Sequence, residues 1–253
     1  MKIETYYYKK ARYYDIINAY KFRETNEELE FFKRMFRKFN KKVKTILDVG
    51  CGKGRFSKPL SEMGFMVTGI DISKDMLDIA RTKIDKRNKN VTFELADART
   101  YKSKEKFDCA LCGDSSLTHL LNKRELMKAL SNINENLKED GIFIFDVWNY
   151  VDYKDWKPVE KWTQREGSTE LSVVRKQRID SKGLYRWADN IKVNEGKGSF
   201  GLKMDSRIRF WKEKEWIKMF KDAGFKLVEA HSDLKHVKHY KGVPERLYFV
   251  AIK

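Results

Sequence analysis

A chain of 253 residues, 41% hydrophobic and 36% charged, is long enough to bury a large core. All but one unit of its formal charge of +17 falls outside residues 45–149, where 17 basic side chains meet 16 acidic ones. The basic flanks would suit an anionic substrate or nucleic acid, or a simply solvated lysine-rich surface. Three cysteines make no disulfide framework, no apolar run approaches the roughly 18 residues of a membrane helix, and the start MKIETYYYKK is too polar for a secretory signal, so a cytoplasmic location is expected.

Residues 1–44 open with Tyr6, Tyr7, Tyr8, Tyr13, Tyr14 and Tyr20 and continue into LEFFKRMFRKF. Leu29, Phe32, Met35, Phe36 and Phe39 recur at helical spacing, which predicts an amphipathic helix packed on the core. The tyrosines fit either an aromatic clasp holding the arm down or a lid touching cofactor and substrate. The stretch TILDVGCGKGRFSKPL (45–60) reads as a strand, a turn with glycines at 50, 52 and 54, and a helix. Glycine permits the backbone angles such a turn needs and lets a ligand lie against the main chain. The helix behind it offers unpaired N–H groups and a partial positive charge.

Strand and helix then alternate. FMVTGI (65–70) predicts a strand closed by Asp71, Lys74 to Arg87 a helix, and Val91 to Leu95 a strand ending in Ala96 and Asp97. Phe107 to Cys112 predicts a fourth strand, Lys123 to Leu137 a helix, and Gly141 to Val147 a fifth strand that is nearly all apolar. This alternation defines a parallel, doubly wound α/β sheet. Between Tyr150 and Phe210 the rhythm changes to three alternating segments, 171–179, 184–193 and 200–210, which predicts antiparallel hairpins. Trp211 to Ala223 returns to helix, and Phe225 to Ala230 and Arg246 to Ile252 close the main sheet.

Gly50, Asp71, Asp97 and Gly113 all fall at strand ends, where open parallel sheets bind ligands. Asp71 follows Gly50 by 21 residues, the spacing of a carboxylate that accepts from ribose hydroxyls. A dinucleotide turn would place its third glycine at position 55, and Arg55 stands there.

With LDVGCGKGRF (47–56), GIDIS (69–73), LADART (95–100), FDCALCGDSSLTHL (107–120) and GIFIFDV (141–147) in order, the chain resembles the class I S-adenosylmethionine-dependent methyltransferases. The resemblance implies a Rossmann-like, mostly parallel seven-stranded sheet with the β insertion as a cap. It divides the chain into an N-terminal helical arm (1–44), a cofactor-binding core (45–149 with 211–253) and a substrate cap (150–210). It further implies S-adenosylmethionine as cofactor and S-adenosylhomocysteine as product. Gly50, Cys51 and Gly52 would lie beside the methionine portion and Asp71 on the ribose. Ile72, Met76 and Ala98 would pack near the adenine, Asp97 would accept its amino group, and Gly113 would border the methyl group.

For the transfer, His119 in the loop after the fourth strand is a candidate base or positioning group, and Tyr14 a candidate contact from the arm. No metal is expected: Cys109 and Cys112 lack a second ligand pair, and His231, His236 and His239 with Asp233 are irregularly spaced in a polar stretch. Candidate walls of an acceptor site are Tyr14, Trp148, Asn149, Trp162, Arg175, Arg178, Trp187 and Arg209. The leading reading is methyl transfer to N or O of a small, polar or anionic acceptor, with no membrane partner. Alternatives are an RNA (tRNA) methyltransferase using the basic arm and insertion, and a non-catalytic cofactor-binding scaffold. The sequence has CGDS where many amino-methylating nucleic-acid enzymes carry NPPY or DPPY.

Overall fold

The computed structural model describes residues 11–17, 25–39, 42–148, 157–231, 234 and 246–253. In chain order the elements are α1 (Ala11–Ile17), α2 (Thr25–Phe39), β1 (Thr45–Val49), α3 (Ser57–Glu62), β2 (Met66–Asp71), α4 (Lys74–Thr82) and β3 (Val91–Leu95). There follow β4 (Phe107–Cys112), a 3-10 turn (Ser116–His119), α5 (Lys123–Asn136) and β5 (Leu137–Trp148). β6 (Val159–Glu166), β7 (Thr169–Ile179), β8 (Leu184–Glu195) and β9 (Gly198–Arg209) precede α6 (Glu213–Asp222), β10 (Lys226–His231) and β11 (Arg246–Ile252).

The main sheet has the order β10-β11-β5-β4-β1-β2-β3. β1 pairs in parallel with both β2 and β4, so the winding reverses at β1 and opens a crevice at its carboxyl end. β11 runs antiparallel to β5 and β10. Alternate residues of the central strands serve two separate cores. Leu47, Val49, Ala110, Cys112, Phe143 and Phe145 pack with α5 and α6, whereas Ile46, Cys109, Leu111, Ile142 and Ile144 pack with α2. Cys109 and Cys112 therefore point into opposite layers.

The second sheet, β6-β7-β8-β9, is a fully antiparallel meander. Its inward face is apolar at both ends. One end packs on α1 through Tyr13, Ile16, Ile17, Leu171, Val173 and Ile191, and the other carries Tyr185, Ile208 and Phe210 against Trp148. Between them Arg175 donates two hydrogen bonds of 2.8 Å to Asp189, which is fully buried.

Several elements differ from the sequence expectation. β6 was not expected, because in VEKWTQRE only Trp162 is a large apolar residue and the strand lies at the sheet edge. The helix expected to reach Arg87 stops at Thr82. β5 begins at Leu137, which pairs with Phe107 before the register shifts and Asp140 takes a φ of 61°. That irregularity hides the strand's start from the sequence pattern.

Candidate active site

The glycine turn is locked to the neighbouring strand: the N–H groups of Gly50 and Cys51 donate to the Ile70 carbonyl at 2.8 and 3.0 Å. Gly52 has a φ of 54°, and a Cβ built there meets no protein atom within 4 Å, so the turn leaves open space at that point. Gly50 is different, since its Cβ would lie 2.9 Å from Ser116 of the 3-10 turn.

Asp71 ends β2 with both carboxylate oxygens directed by backbone: Oδ2 accepts from Gly52 N–H at 2.9 Å and Oδ1 from Ser73 N–H at 2.8 Å. Burial pushes its pKa up, and these N–H donors oppose that rise. Ser73 then caps α4 by accepting from Met76 N–H at 3.3 Å. Asp48, in β1, is buried and accepts from the Ser57 hydroxyl at 2.5 Å; burial raises its pKa to about 6. Asp97 sits in an Asx turn, accepting Arg99 N–H at 2.9 Å and its guanidinium as well, and those bonds hold its pKa low. The carboxylate expected to face adenine is thus engaged by Arg99, which also pairs with Glu125.

One cavity gathers every expected cofactor residue: Gly50, Cys51, Gly52, Asp71, Ile72, Met76, Asp97, Ala98 and Gly113. It also gathers Tyr14 and His119. His119 ends the 3-10 turn and is half-buried. The Cβ position of Gly113 is taken by the Phe56 ring, at 2.3 Å, so this glycine serves packing as well as the cavity wall. The buried thiols Cys51, Cys109 and Cys112 have strongly raised pKa values from desolvation, which leaves them unsuited as nucleophiles at neutral pH.

Tyr13 is buried under the second sheet, and Tyr14 donates to Asp114 Oδ2 at 2.7 Å across the cavity. Tyr6, Tyr7, Tyr8, Tyr20 and Asn149 lie outside the described residues, as do Asp233, His236 and His239. His231 is buried on β10 beside Glu229 (2.8 Å) and Phe31 rather than in a polar loop.

Sequence reasoning missed a charged cluster behind the cavity. Arg246, on β11, lies 3.4 Å from Asp114, 3.3 Å from Asp146 and 3.6 Å from Glu28. Arg55 pairs with Glu28, whose pKa burial lifts to about 7 against the pull of that guanidinium. Asp114 and Ser115 both have positive φ, 54° and 58°, a strain that marks functional turns. The one local signal was Asp114 itself, directly after Gly113. Arg246 lies more than a hundred residues further on.

A doubly wound sheet of this order, with a glycine turn after β1 and carboxylates after β2 and β3 on one cavity, defines a mononucleotide-type cofactor site of the S-adenosylmethionine kind. A methyltransferase-domain family model matches residues 46–141. A putative methyltransferase of a Geobacillus species is 40% identical over 105 residues, 42% of each chain, so that alignment spans less than half of the relative. An uncharacterised protein of Methanocaldococcus jannaschii is 32% identical over 73% of this chain and 70% of its own. A dTDP-3-amino-3,6-dideoxy-alpha-D-glucopyranose N,N-dimethyltransferase of Streptomyces fradiae is 24% identical over 85% and 82%. Among solved structures, a sugar N-methyltransferase from a Streptoalloteichus species shares the fold, with a TM-score of 0.78, 18% identity, and coverage of 95% and 92%.

The chain belongs to the class I S-adenosylmethionine-dependent methyltransferases. Its residues fit the cofactor: the open space at Gly52 beside a fixed Asp71 carboxylate is what a ribose and methionine chain laid on backbone require. When bound, S-adenosylmethionine supplies a methyl group already activated on a sulfonium.

Proposed function

We propose that the protein methylates N or O of a small polar molecule in the cytoplasm. The observation that carries this reading is the cover over the cavity. α1 lies against α4 and β6, and brings Tyr14 and Asp15 onto the cavity that Leu117, His119 and Leu120 also line. Such a cover favours an acceptor that enters whole over a polymer. In this reading 45–149 and 211–253 hold the cofactor, while 1–44 and 150–210 form the acceptor cap. Asp71 takes the ribose hydroxyls, the turn at 50–52 approaches the methionine portion, and Ile72, Met76 and Ala98 wall the adenine. Asp97, shared with Arg99, meets the adenine amino group. Tyr14 and His119 orient the acceptor. The similarity to an amino-sugar dimethyltransferase supports a small acceptor.

Nucleic acid as acceptor has one observation in its favour. Arg178, Arg186 and Arg207 stand directly opposite one another across β7, β8 and β9, with Arg186 also paired to Asp180, and such a basic row suits a phosphate backbone. By strand alternation that row is on the face opposite Tyr185, Ile208 and Trp148, away from the cavity. Tritiated methyl transfer from S-adenosylmethionine to a metabolite extract and to unmodified tRNA separates the readings. Label in the small-molecule fraction is expected; label in tRNA, falling steeply with salt, would overturn it. Cofactor binding with no transfer to either fraction would favour a scaffold.

A further inference from the structure

The cofactor carries one anionic group, the carboxylate of its amino-acid end, with an ammonium on the same carbon. Besides His119, the basic side chains on the cavity are Lys53 and Arg55. Arg55 is turned to α2, where it donates to Thr25 and Glu28. Lys53 belongs to the glycine turn and follows Gly52, where the space beside the main chain is open. Its side chain is 7% exposed, and its ion-pair partner among the described residues is Asp15 of α1, at 3.1 Å. Asp15 is shared: Lys83, just past α4, reaches the same Oδ2 at 3.3 Å. One carboxylate oxygen thus meets two ammonium groups. Burial pulls the Lys53 pKa down, and Asp15 opposes that fall without cancelling it. A buried ammonium so placed gains from a second anion.

We infer that Lys53 takes the carboxylate of the cofactor's amino-acid end and that Asp15 meets the ammonium beside it. The glycine turn and α1 then hold that end between them, whatever the acceptor is. The amino-acid end is a zwitterion, so its arrival leaves the net charge of the site unchanged. Each charge of the Lys53–Asp15 pair gains an opposite partner through a charge-assisted hydrogen bond. Lys53 has three N–H donors and Asp15 two acceptor oxygens, so both can add such a bond while keeping the one they share. Asp15 stands next to Tyr14, whose hydroxyl bonds Asp114 just past β4. A cofactor held by its tail therefore fixes α1 in place, and the arm becomes part of the cofactor site as well as a cover for the acceptor.

Three adenosine ligands that differ only in the tail read these contacts by calorimetry, with no acceptor present. S-adenosylhomocysteine carries both charges, its decarboxylated form S-adenosyl-3-thiopropylamine the ammonium alone, and 5′-methylthioadenosine neither. The wild-type chain should bind S-adenosylhomocysteine at least tenfold more tightly than the decarboxylated form. Lys53→Met should bring that ratio within twofold of one, while 5′-methylthioadenosine affinity changes less than twofold and so reports a folded adenosine site. Asp15→Asn should weaken S-adenosyl-3-thiopropylamine at least tenfold and leave 5′-methylthioadenosine within twofold. An absent preference in the wild type, or one that survives in Lys53→Met, overturns the role of Lys53. Equal loss of all three ligands in Lys53→Met overturns it too, since the lysine would then serve the nucleoside or the fold. Unchanged S-adenosyl-3-thiopropylamine binding in Asp15→Asn overturns the role of Asp15. At equal saturation, S-adenosylhomocysteine should slow hydrogen exchange in residues 11–17 and 5′-methylthioadenosine should not; equal protection by both would overturn the tie between the tail and α1.

Discussion

Replacing Gly52 by alanine separates the cavity wall from the scaffold. The new methyl group meets no protein atom within 4 Å, so there is no clash to relieve. The φ of 54° remains, and holding an L-residue there costs about 1–2 kcal/mol. For a chain of this size that corresponds to a fall in Tm of roughly 2–8 °C. The methyl occupies space that the cofactor needs, so affinity for S-adenosylhomocysteine should fall at least tenfold, about 1.4 kcal/mol. Gly113→Ala is the counterpart. Its Cβ would stand 2.3 Å from Phe56, a ring wedged against Phe32 at 5.1 Å with the Arg55 guanidinium at 3.9 Å. Overpacking of that kind costs about 1–3 kcal/mol. Calorimetry and thermal melts on both variants read the two effects apart. Gly52→Ala with unchanged cofactor affinity would refute the assignment of the turn as the cofactor's bed.

Glu28 and Asp48 both have folded pKa values raised by burial, to about 7 and about 6. The folded chain therefore holds protons that the unfolded chain releases near pH 4, and both groups withdraw stability as pH rises from about 4 to about 7. Glu28→Gln should flatten that decline in melts between pH 5 and 8; an unaltered slope would contradict the pKa reading. Arg175→Leu leaves Asp189 buried without its paired guanidinium and should destabilise the chain by about 3–5 kcal/mol. A loss below about 1 kcal/mol, by denaturant titration, would mean that the pair is dispensable to the second sheet.

The main sheet was legible because its strands are long apolar runs punctuated by glycine and aspartate, as at Asp48, Gly50, Asp71 and Gly113. β6 was not, since an edge strand with a half-solvated face carries no alternation. The residues expected on the cofactor lie in four short segments, 50–52, 71–76, 97–98 and 113; Asp71 was named from spacing and the others from the family resemblance, and all of them line the one cavity. The charged cluster behind the cavity could not be named. Asp114, Arg246 and Glu28 come from three distant segments and meet only because β11 inserts beside β5 and α2 packs over both. Arg55 illustrates the limit: as the residue replacing a third glycine it argued against a dinucleotide, but its ion pair with Glu28 is visible only in the fold.

Asp71 is where the account is most exposed. Its carboxylate, fixed by the N–H groups of Gly52 and Ser73, should accept from the ribose hydroxyls, and each charge-assisted hydrogen bond contributes about 1.5–3 kcal/mol. Titration calorimetry of S-adenosylhomocysteine into wild-type protein and Asp71→Ala, with circular dichroism to establish that both are folded, measures this directly. A loss of affinity of about 100-fold or more is expected. A folded Asp71→Ala that binds as tightly as wild type would contradict it.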